Sequence, residues 1–241
     1  MNKYRDFFNE YVAGFNLTLE PIWRKHEHTL RVVDNSRKIA EDICLPPQEI
    51  ELAEMIGLFH DIGRFEQWRQ YHSFNDHETI DHAELGTKII EECGILKEHI
   101  SYDVIISAIK NHNKFKISTK ITDDRKLTFC KIIRDADKLD IIREYLTSEL
   151  KFDKTNRHYS NEAMKDSLSH RLINRKHIVN QSDHALVVAA LFNDINFEYT
   201  KRCIKNEFLI EKIIELLIES NPQQKEPLLR VEKAIKLCCF N

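Results

Sequence analysis

Histidine and aspartate side chains recur over residues 28–140 at positions where they could bind metal ions. The stretch LFHDIGRF at 58–65 places His60 beside Asp61 at the end of an apolar run, and Arg64 follows closely. An imidazole beside a carboxylate can end an ordinary helix, or it can supply two ligands of a metal ion. The doublet alone leaves both interpretations open. Further His and Asp residues on the inward faces of other helices would favour a metal site.

The elements that must position these residues are predicted to be helices. The chain has only 5 Gly and 5 Pro in 241 residues, and its apolar residues mostly recur at intervals of three and four, which is typical of an all-α protein. The pattern predicts five helices in this part of the chain, over residues 26–44, 47–60, 81–93, 101–112 and 125–148. Gly63 is interpreted as the C-terminal cap of the second of these helices.

Each predicted helix carries an imidazole or a carboxylate on the face that its apolar residues turn inward. These residues are His28, His60, His82, His112 and, on the last helix, Asp137 and Asp140. One buried histidine is usually a hydrogen-bonded core residue. Burying the whole set separately would cost on the order of several kcal/mol for each charged group. A shared divalent cation removes that cost, and imidazole with carboxylate suits Mn, Fe, Co, Ni or Zn.

The order of these residues resembles the HD superfamily of metal-dependent phosphohydrolases. The stretches that carry the resemblance are HTLRVV at 28–33, FHDIGR at 59–64, HAELGTKII at 82–90, AIKNH at 108–112 and RDADKLD at 134–140. Together they cover about residues 25–150. The resemblance implies an HD-domain helical bundle that hydrolyses a phosphate ester or anhydride bond by attack of a metal-activated water.

The resemblance also implies a role for each matching residue. The first metal ion would be bound by His28, His60, Asp61 and Asp137. The second would be bound by His82 and His112, with Asp61 bridging the two ions. One or two divalent transition metal ions are therefore expected as cofactors, and Mg is an alternative.

Two cations beside the expected ligands are candidates for contacts with a substrate phosphate. Arg64 follows the doublet, and Lys138 follows Asp137. Arg64 and Lys138 are candidates because a phosphate needs positive charge around it. Together with Asp61, the expected bridging ligand, they form the predicted catalytic set. An ordinary solvated ion pair is the alternative for either cation. Asp140 is expected to orient a ligand histidine rather than to bind metal.

The segment EQWRQYHSFNDHETID, at residues 66–81, is predicted to be a loop near the metal site. Its aromatic residues Trp68, Tyr71 and Phe74 could form a lid that stacks on a nucleobase. The alternative is that they close one end of the helical core. The loop alone does not distinguish the two roles.

The chain is predicted to have an HD domain at residues 1–150 and a C-terminal all-α extension at 151–241 that packs on the same core. Residues 151–176 are polar and weakly periodic, after which apolar helical patterns return. No Gly/Ser-rich or Pro-rich linker separates the two parts, which favours an extension over a free second domain.

Three functions from different classes remain open. The first is a phosphohydrolase or phosphodiesterase acting on a small phosphorylated substrate such as a nucleotide. The second is an HD-fold mixed-valent di-iron oxygenase. The resemblance allows this function because such oxygenases use the same six ligands. The third is a ligand-sensing or scaffold protein that retains a metal for stability.

Composition limits the partners and the compartment. A net charge of -3 and the absence of a basic tract argue against long nucleic acids. No run approaches the roughly 18 apolar residues of a membrane span, and the first residues lack the apolar core of a secretion signal. The 6 Cys form no CxxC motif. A cytoplasmic protein with reduced thiols is expected, and a homo-oligomer is possible.

Overall fold

The computed structural model describes residues 1–147, 158–180 and 182–240 of the chain. These residues form helices joined by turns, and no strand occurs among them. The all-α prediction is confirmed for this part of the chain. None of its helices combines the length and the apolar character needed to cross a lipid bilayer. The chain divides into two compact units, Met1–Asp137 and Lys138–Asn241.

The first unit contains the elements that carry the predicted ligands. Its helices are α1 (Asn2–Ala13), α2 (Glu20–Asp42), α3 (Pro47–Phe59), α4 (Ile62–Tyr71), α5 (His82–Cys93), α6 (Tyr102–His112) and α7 (Asp124–Thr147), the last of which continues into the second unit. The five predicted helices correspond to α2, α3, α5, α6 and α7. Helix α2 begins earlier than predicted, because Pro21 lies in its first turn, where a missing N–H costs no hydrogen bond.

Short-range sequence signals explain where two of the ligand-bearing helices begin and end. Pro47 is the first residue of α3, where its fixed φ favours helix formation. Asp81 caps α5, since its side chain accepts hydrogen bonds from the backbone N–H groups of Ala83 and Glu84. Gly94 ends α5 in the left-handed region at φ 68°, which favours glycine. The Asp81 cap fixes the start of α5, and therefore the place of His82 as the first residue of that helix.

The core of the first unit lies between the inward faces of α2 and α3. Val32 and Ile39 of α2 and Ile56 of α3 are fully or almost fully buried there. Helix α1 covers this core with aromatic residues, and the Phe8 ring lies 6.0 Å from the Phe65 ring in an edge-to-face arrangement. The apolar core thus surrounds the polar residues that the same helices turn inward.

The prediction that Gly63 caps a helix is wrong. Gly63 lies inside α4, which begins directly after the doublet. A Cβ atom at Gly63 would lie 2.2 Å from the carbonyl oxygen of His82 and 2.6 Å from the backbone N of Gly86. Glycine is required there because α4 and α5 approach closely, and not because the chain leaves a helix. The loop predicted at 66–81 consequently begins only after α4 ends at Tyr71.

The second unit has its own hydrophobic core. Its further helices are α8 (Asn161–Ser167), α9 (Asp183–Ala190), α10 (Glu198–Asn206), α11 (Leu209–Ser220) and α12 (Lys225–Phe240), with short 3₁₀ turns between some of them. Leu139 of α7, Phe192, Ile213 of α11 and Val231 of α12 belong to one buried cluster. The domain boundary that we predict near residue 150 lies outside the described residues.

Candidate metal centre

The His60-Asp61 doublet lies at the corner between α3 and α4. The backbone of His60 is still helical, whereas Asp61 leaves the helix at φ -108° and ψ 14°. The chain turns and α4 begins at the next residue, with the backbone N–H of Arg64 donating to the carbonyl oxygen of Asp61 at 2.9 Å. Both side chains of the doublet are buried. A helix end and a candidate metal site therefore coincide.

The two carboxylate oxygens of Asp61 face two different pairs of histidines. Oδ2 lies 3.6 Å from Nε2 of His28 and 3.8 Å from Nε2 of His60. Oδ1 lies 3.2 Å from Nε2 of His82 and 3.6 Å from Nε2 of His112. Four helices thus bring their imidazoles to one carboxylate, with one oxygen for each pair.

Asp137 of α7 completes the group on the side of His28 and His60. Its Oδ1 atom lies 3.1 Å from Nε2 of His28 and 3.8 Å from Nε2 of His60. The backbone next to it is anchored, because Asn35 of α2 donates to the carbonyl oxygen of Ala136 at 3.1 Å. The structure therefore brings together all six side chains that the sequence proposes as ligands.

Hydrogen bonds on Nδ1, the ring nitrogen that faces away from Asp61, orient His60, His82 and His112. The Nδ1 atom of His60 lies 2.7 Å from the carbonyl oxygen of Gly57. The Nδ1 atom of His112 lies 2.7 Å from the carbonyl oxygen of Ile109. The Nδ1 atom of His82 lies 2.7 Å from a carboxylate oxygen of Asp76. An oxygen of this kind can only accept, so a neutral ring that donates to it from Nδ1 keeps a lone pair on Nε2 for a metal ion.

The surroundings of His60 and Asp61 favour a neutral imidazole and an ionised carboxylate, as their pKa values indicate. Burial lowers the pKa of His60 to about 4, although the Asp61 and Asp137 carboxylates act in the opposite direction. Burial alone would raise the pKa of Asp61, but the Lys25 ammonium and further neighbours hold it well below its usual range. At neutral pH His60 is therefore an uncharged nitrogen donor beside charged oxygen donors.

This donor set fits divalent metal ions. The Nε2 atoms of His82 and His112 are 3.0 Å apart, and those of His28 and His60 are 3.4 Å apart. Where both rings of such a pair carry their proton on Nδ1, the two Nε2 lone pairs repel unless a cation lies near them. Burial disfavours the charged, doubly protonated form of the His60 ring, which leaves a metal ion as the cation that suits this site. Nitrogen and carboxylate ligands without a thiolate match the preferences of Mn, Fe, Co, Ni and Zn.

The two predicted phosphate contacts have protein partners. Arg64 donates through Nη1 to Asp76 at 2.9 Å, to the Phe74 carbonyl oxygen at 2.7 Å and to Gln67 at 2.8 Å. Its Nε atom lies 3.7 Å from Oδ1 of Asp61. In the second unit, the Lys138 ammonium lies 2.9 Å from Asp194, and its side chain is 5% exposed. A phosphate contact by either cation stays a prediction.

Sequence reasoning missed two charged residues beside the ligands. The Lys25 ammonium lies 3.1 Å from Oδ2 of Asp61, and its helical spacing of three residues from His28 could have indicated this position. Asp76 contacts the ring of His82, but it lies between α4 and α5, where no periodicity locates a side chain. Asp140, which we expected to orient a histidine, is buried on α7.

Comparison with known proteins adds one finding. Residues 26–142 match the family of the HD domain. The matched range includes every one of the six side chains described above, from His28 on α2 to Asp137 on α7. No curated protein and no solved structure matches the chain well enough to count as a relative.

Proposed function

From the premise that this chain carries an HD domain at residues 26–142, a family whose members are generally metal-dependent phosphohydrolases, we propose that it hydrolyses phosphate ester or anhydride bonds at a dinuclear metal site. The substrate is a small phosphorylated molecule, and a nucleotide is the class we propose. The observation that carries this proposal is the arrangement of the two carboxylate oxygens of Asp61. Its two oxygens face two separate histidine pairs, as expected of a carboxylate that bridges two cations.

The proposed ligands fall into two groups that share Asp61. His28, His60 and Asp137 would hold the first ion, and His82 and His112 the second. When bound, such ions supply Lewis acidity and an activated water for in-line displacement at phosphorus. The chain contributes fixed ring orientations, because the Nδ1 hydrogen bonds of His60, His82 and His112 keep each Nε2 lone pair available.

Positive charge from the protein supports a phosphate at this site. The Lys25 side chain is partly exposed, at 17%, and its ammonium lies beside Asp61. Lys25 and Arg64 both lie 5.7 Å from the centre of the Phe74 ring. We propose that Lys25 binds the substrate phosphate, in addition to the predicted contacts of Arg64 and Lys138. The Phe74 ring, which lies near Lys25 and Arg64, would contact the rest of the substrate.

A substrate panel under strict anaerobiosis tests the proposal. The full chain, loaded with Mn²⁺ or Co²⁺, is incubated with nucleoside phosphates, sugar phosphates and simple phosphodiesters, and phosphate or alcohol release is measured. We expect turnover that does not need oxygen. Asp61→Asn should lower turnover more than the about 10- to 100-fold that follows loss of an outer partner of a metal ligand. Asp103→Asn is the control, because Asp103 is exposed on α6.

Three results would contradict the proposal. Consumption of oxygen by the iron-loaded protein, with no anaerobic turnover, would identify an oxygenase instead. Metal-dependent melting without turnover of any phosphorylated compound would identify a scaffold or sensor. Equal losses in the Asp61 and Asp103 variants would show that the loss is unrelated to the candidate site.

A further inference from the structure

Asp76 lies in the connection between α4 and α5 and uses both carboxylate oxygens on polar partners. Nδ1 of His82 lies 2.7 Å from Oδ2 and 2.9 Å from Oδ1 of Asp76. Asn113, which directly follows α6, donates to Oδ2 at 3.3 Å. The Asp76 side chain is 9% exposed, so water competes little for these bonds. The carboxylate is therefore placed behind the ring of a candidate metal ligand.

Two residues of α4 hold Asp76 from the other side. Arg64 donates to Oδ1 at 2.9 Å, and Gln67 donates to the same oxygen at 3.0 Å. Gln67 also donates to the hydroxyl of Thr79 and the carbonyl oxygen of Ile80, each at 2.9 Å. Helix α4 thus fixes the connection at several points before α5 begins. Asp76 has little freedom to leave the His82 ring.

His82 differs from two of its neighbours in how its orientation is fixed. The Nδ1 atoms of His60 and His112 lie against backbone carbonyl oxygens of their own helices. A side-chain substitution elsewhere leaves those two bonds in place. The Nδ1 partner of His82 is instead a side chain six residues earlier, outside α5. A single substitution can therefore release one ring of the second proposed metal position and leave the first position intact.

We propose that Asp76 is a positioning residue that orients His82 and thereby determines whether the second metal position fills. Its carboxylate would hold the proton of His82 on Nδ1, which leaves the Nε2 lone pair, 3.2 Å from Oδ1 of Asp61, for a metal ion that both atoms would bind. Arg64 acts through Asp76 rather than on the substrate alone. The consequence for catalysis rests on the proposed dinuclear function, whereas the orientation of His82 rests on the contacts given above.

Metal binding by the full-length Asp76→Asn variant tests the inference. Mn²⁺ is titrated by calorimetry and equilibrium dialysis into wild type and variant. We expect two ions in wild type, and a loss of about 10- to 100-fold in affinity for one ion in the variant, with the other unchanged. Asp76→Glu, which keeps a carboxylate, should restore part of that affinity. Glu78→Gln is the matched control, since Glu78 lies in the same connection between α4 and α5 but is exposed.

A second measurement separates this inference from the proposed function. Nitrogen-15 NMR of the metal-free protein reports which ring nitrogen of His82 carries the proton. A proton fixed on Nδ1 in wild type and not in Asp76→Asn supports the inference, even if the protein hydrolyses nothing or binds one ion. A proton on Nε2 of His82 in wild type overturns the inference. This measurement needs only the wild-type protein, so it stands even if the Asp76→Asn variant does not fold. Two ions bound with unchanged affinity by a folded Asn variant would overturn it as well.

Discussion

At the scale of single residues, the hydrogen bond at Nδ1 of a histidine orients the ring so that Nε2 can bind a metal ion. His60 and His112 obtain that bond from carbonyl oxygens of the preceding helical turn, a partner that any sequence supplies. The partner of His82 is the Asp76 side chain, so this bond depends on the type of residue at position 76. Helical spacing therefore predicts which residues are ligands. It does not predict the residues that orient those ligands, because their contacts form only when the chain folds.

Lys25 is the residue whose replacement should most directly affect phosphate binding. We expect Lys25→Gln to lower kcat/KM about 10- to 100-fold, because a charge-assisted hydrogen bond to phosphate contributes on the order of 1.5–3 kcal/mol. The number of bound metal ions should stay the same. Steady-state kinetics and dialysis against Mn²⁺ measure the two quantities.

Lys38→Gln is the control for this experiment, since Lys38 lies on the same helix but is exposed and paired with Asp34. If the Lys25 variant instead binds fewer metal ions, Lys25 supports the ligands and not the substrate. Equal kinetic losses in the two variants would show a general effect of removing a positive charge from α2.

The residues that sequence could predict share one property, which is a position on an apolar helical face. His28, His60, His82, His112 and Asp137 all follow from that spacing, and Asp61 adjoins one of them. Lys25 was within reach of the same argument, but a lysine near the start of a helix resembles a solvated charge. Asp76 was not within reach, because its contact depends on how the chain returns from α4 to α5.

At the scale of elements, the distance between the doublet and His82 depends on a pair of glycines. Gly63 of α4 and Gly86 of α5 meet where the two helices touch. Gly63 has no room for a Cβ atom, and a Cβ atom at Gly86 would make a tight contact of 3.2 Å with the backbone N of Gly63. Five of the helices around the site were predictable from periodicity. Helix α4 was not, because its glycine resembles a C-terminal cap when the neighbouring helix is unknown.

Gly63→Ala should separate α4 from α5. The added Cβ atom would overlap the His82 carbonyl oxygen, so we expect a loss of about 3 kcal/mol in the free energy of unfolding and weaker binding of one Mn²⁺ ion. Denaturant unfolding and calorimetry measure these changes. Gly94→Ala is the comparison, since nothing lies within 4 Å of its added Cβ atom and its cost of about 1–2 kcal/mol comes from the positive φ.

The two glycine variants also distinguish steric displacement from general destabilisation. If metal binding weakens in Gly94→Ala in proportion to that variant's loss of stability, metal affinity follows the overall free energy of unfolding. Unchanged metal binding in Gly63→Ala would mean that α5 can shift without moving His82. Either result would contradict the role that we assign to the glycine contact.

At the scale of the whole molecule, the six candidate ligands all belong to the unit Met1–Asp137. The unit Lys138–Asn241 has a core of its own, built from α7 to α12. Its helical character was predictable from the returning apolar patterns. How it packs, and whether the division near residue 150 holds, stay predictions, because a polar and weakly periodic segment gives no signal of its partners.

Removal of metal should accordingly affect the two units differently. A ligand present at 100 times its dissociation constant stabilises the state that binds it by about 2.7 kcal/mol. We expect Mn²⁺ to slow amide hydrogen exchange in α2, α3, α5 and α6 and in the first half of α7, relative to chelated protein. Exchange in α11 and α12 should change little, because no candidate ligand lies there. Asp61→Asn should remove most of the difference, since it alters the residue that serves both proposed metal positions. Equal protection of both units on addition of Mn²⁺ would contradict this assignment, because it would show that metal binding stabilises the chain as one cooperative body.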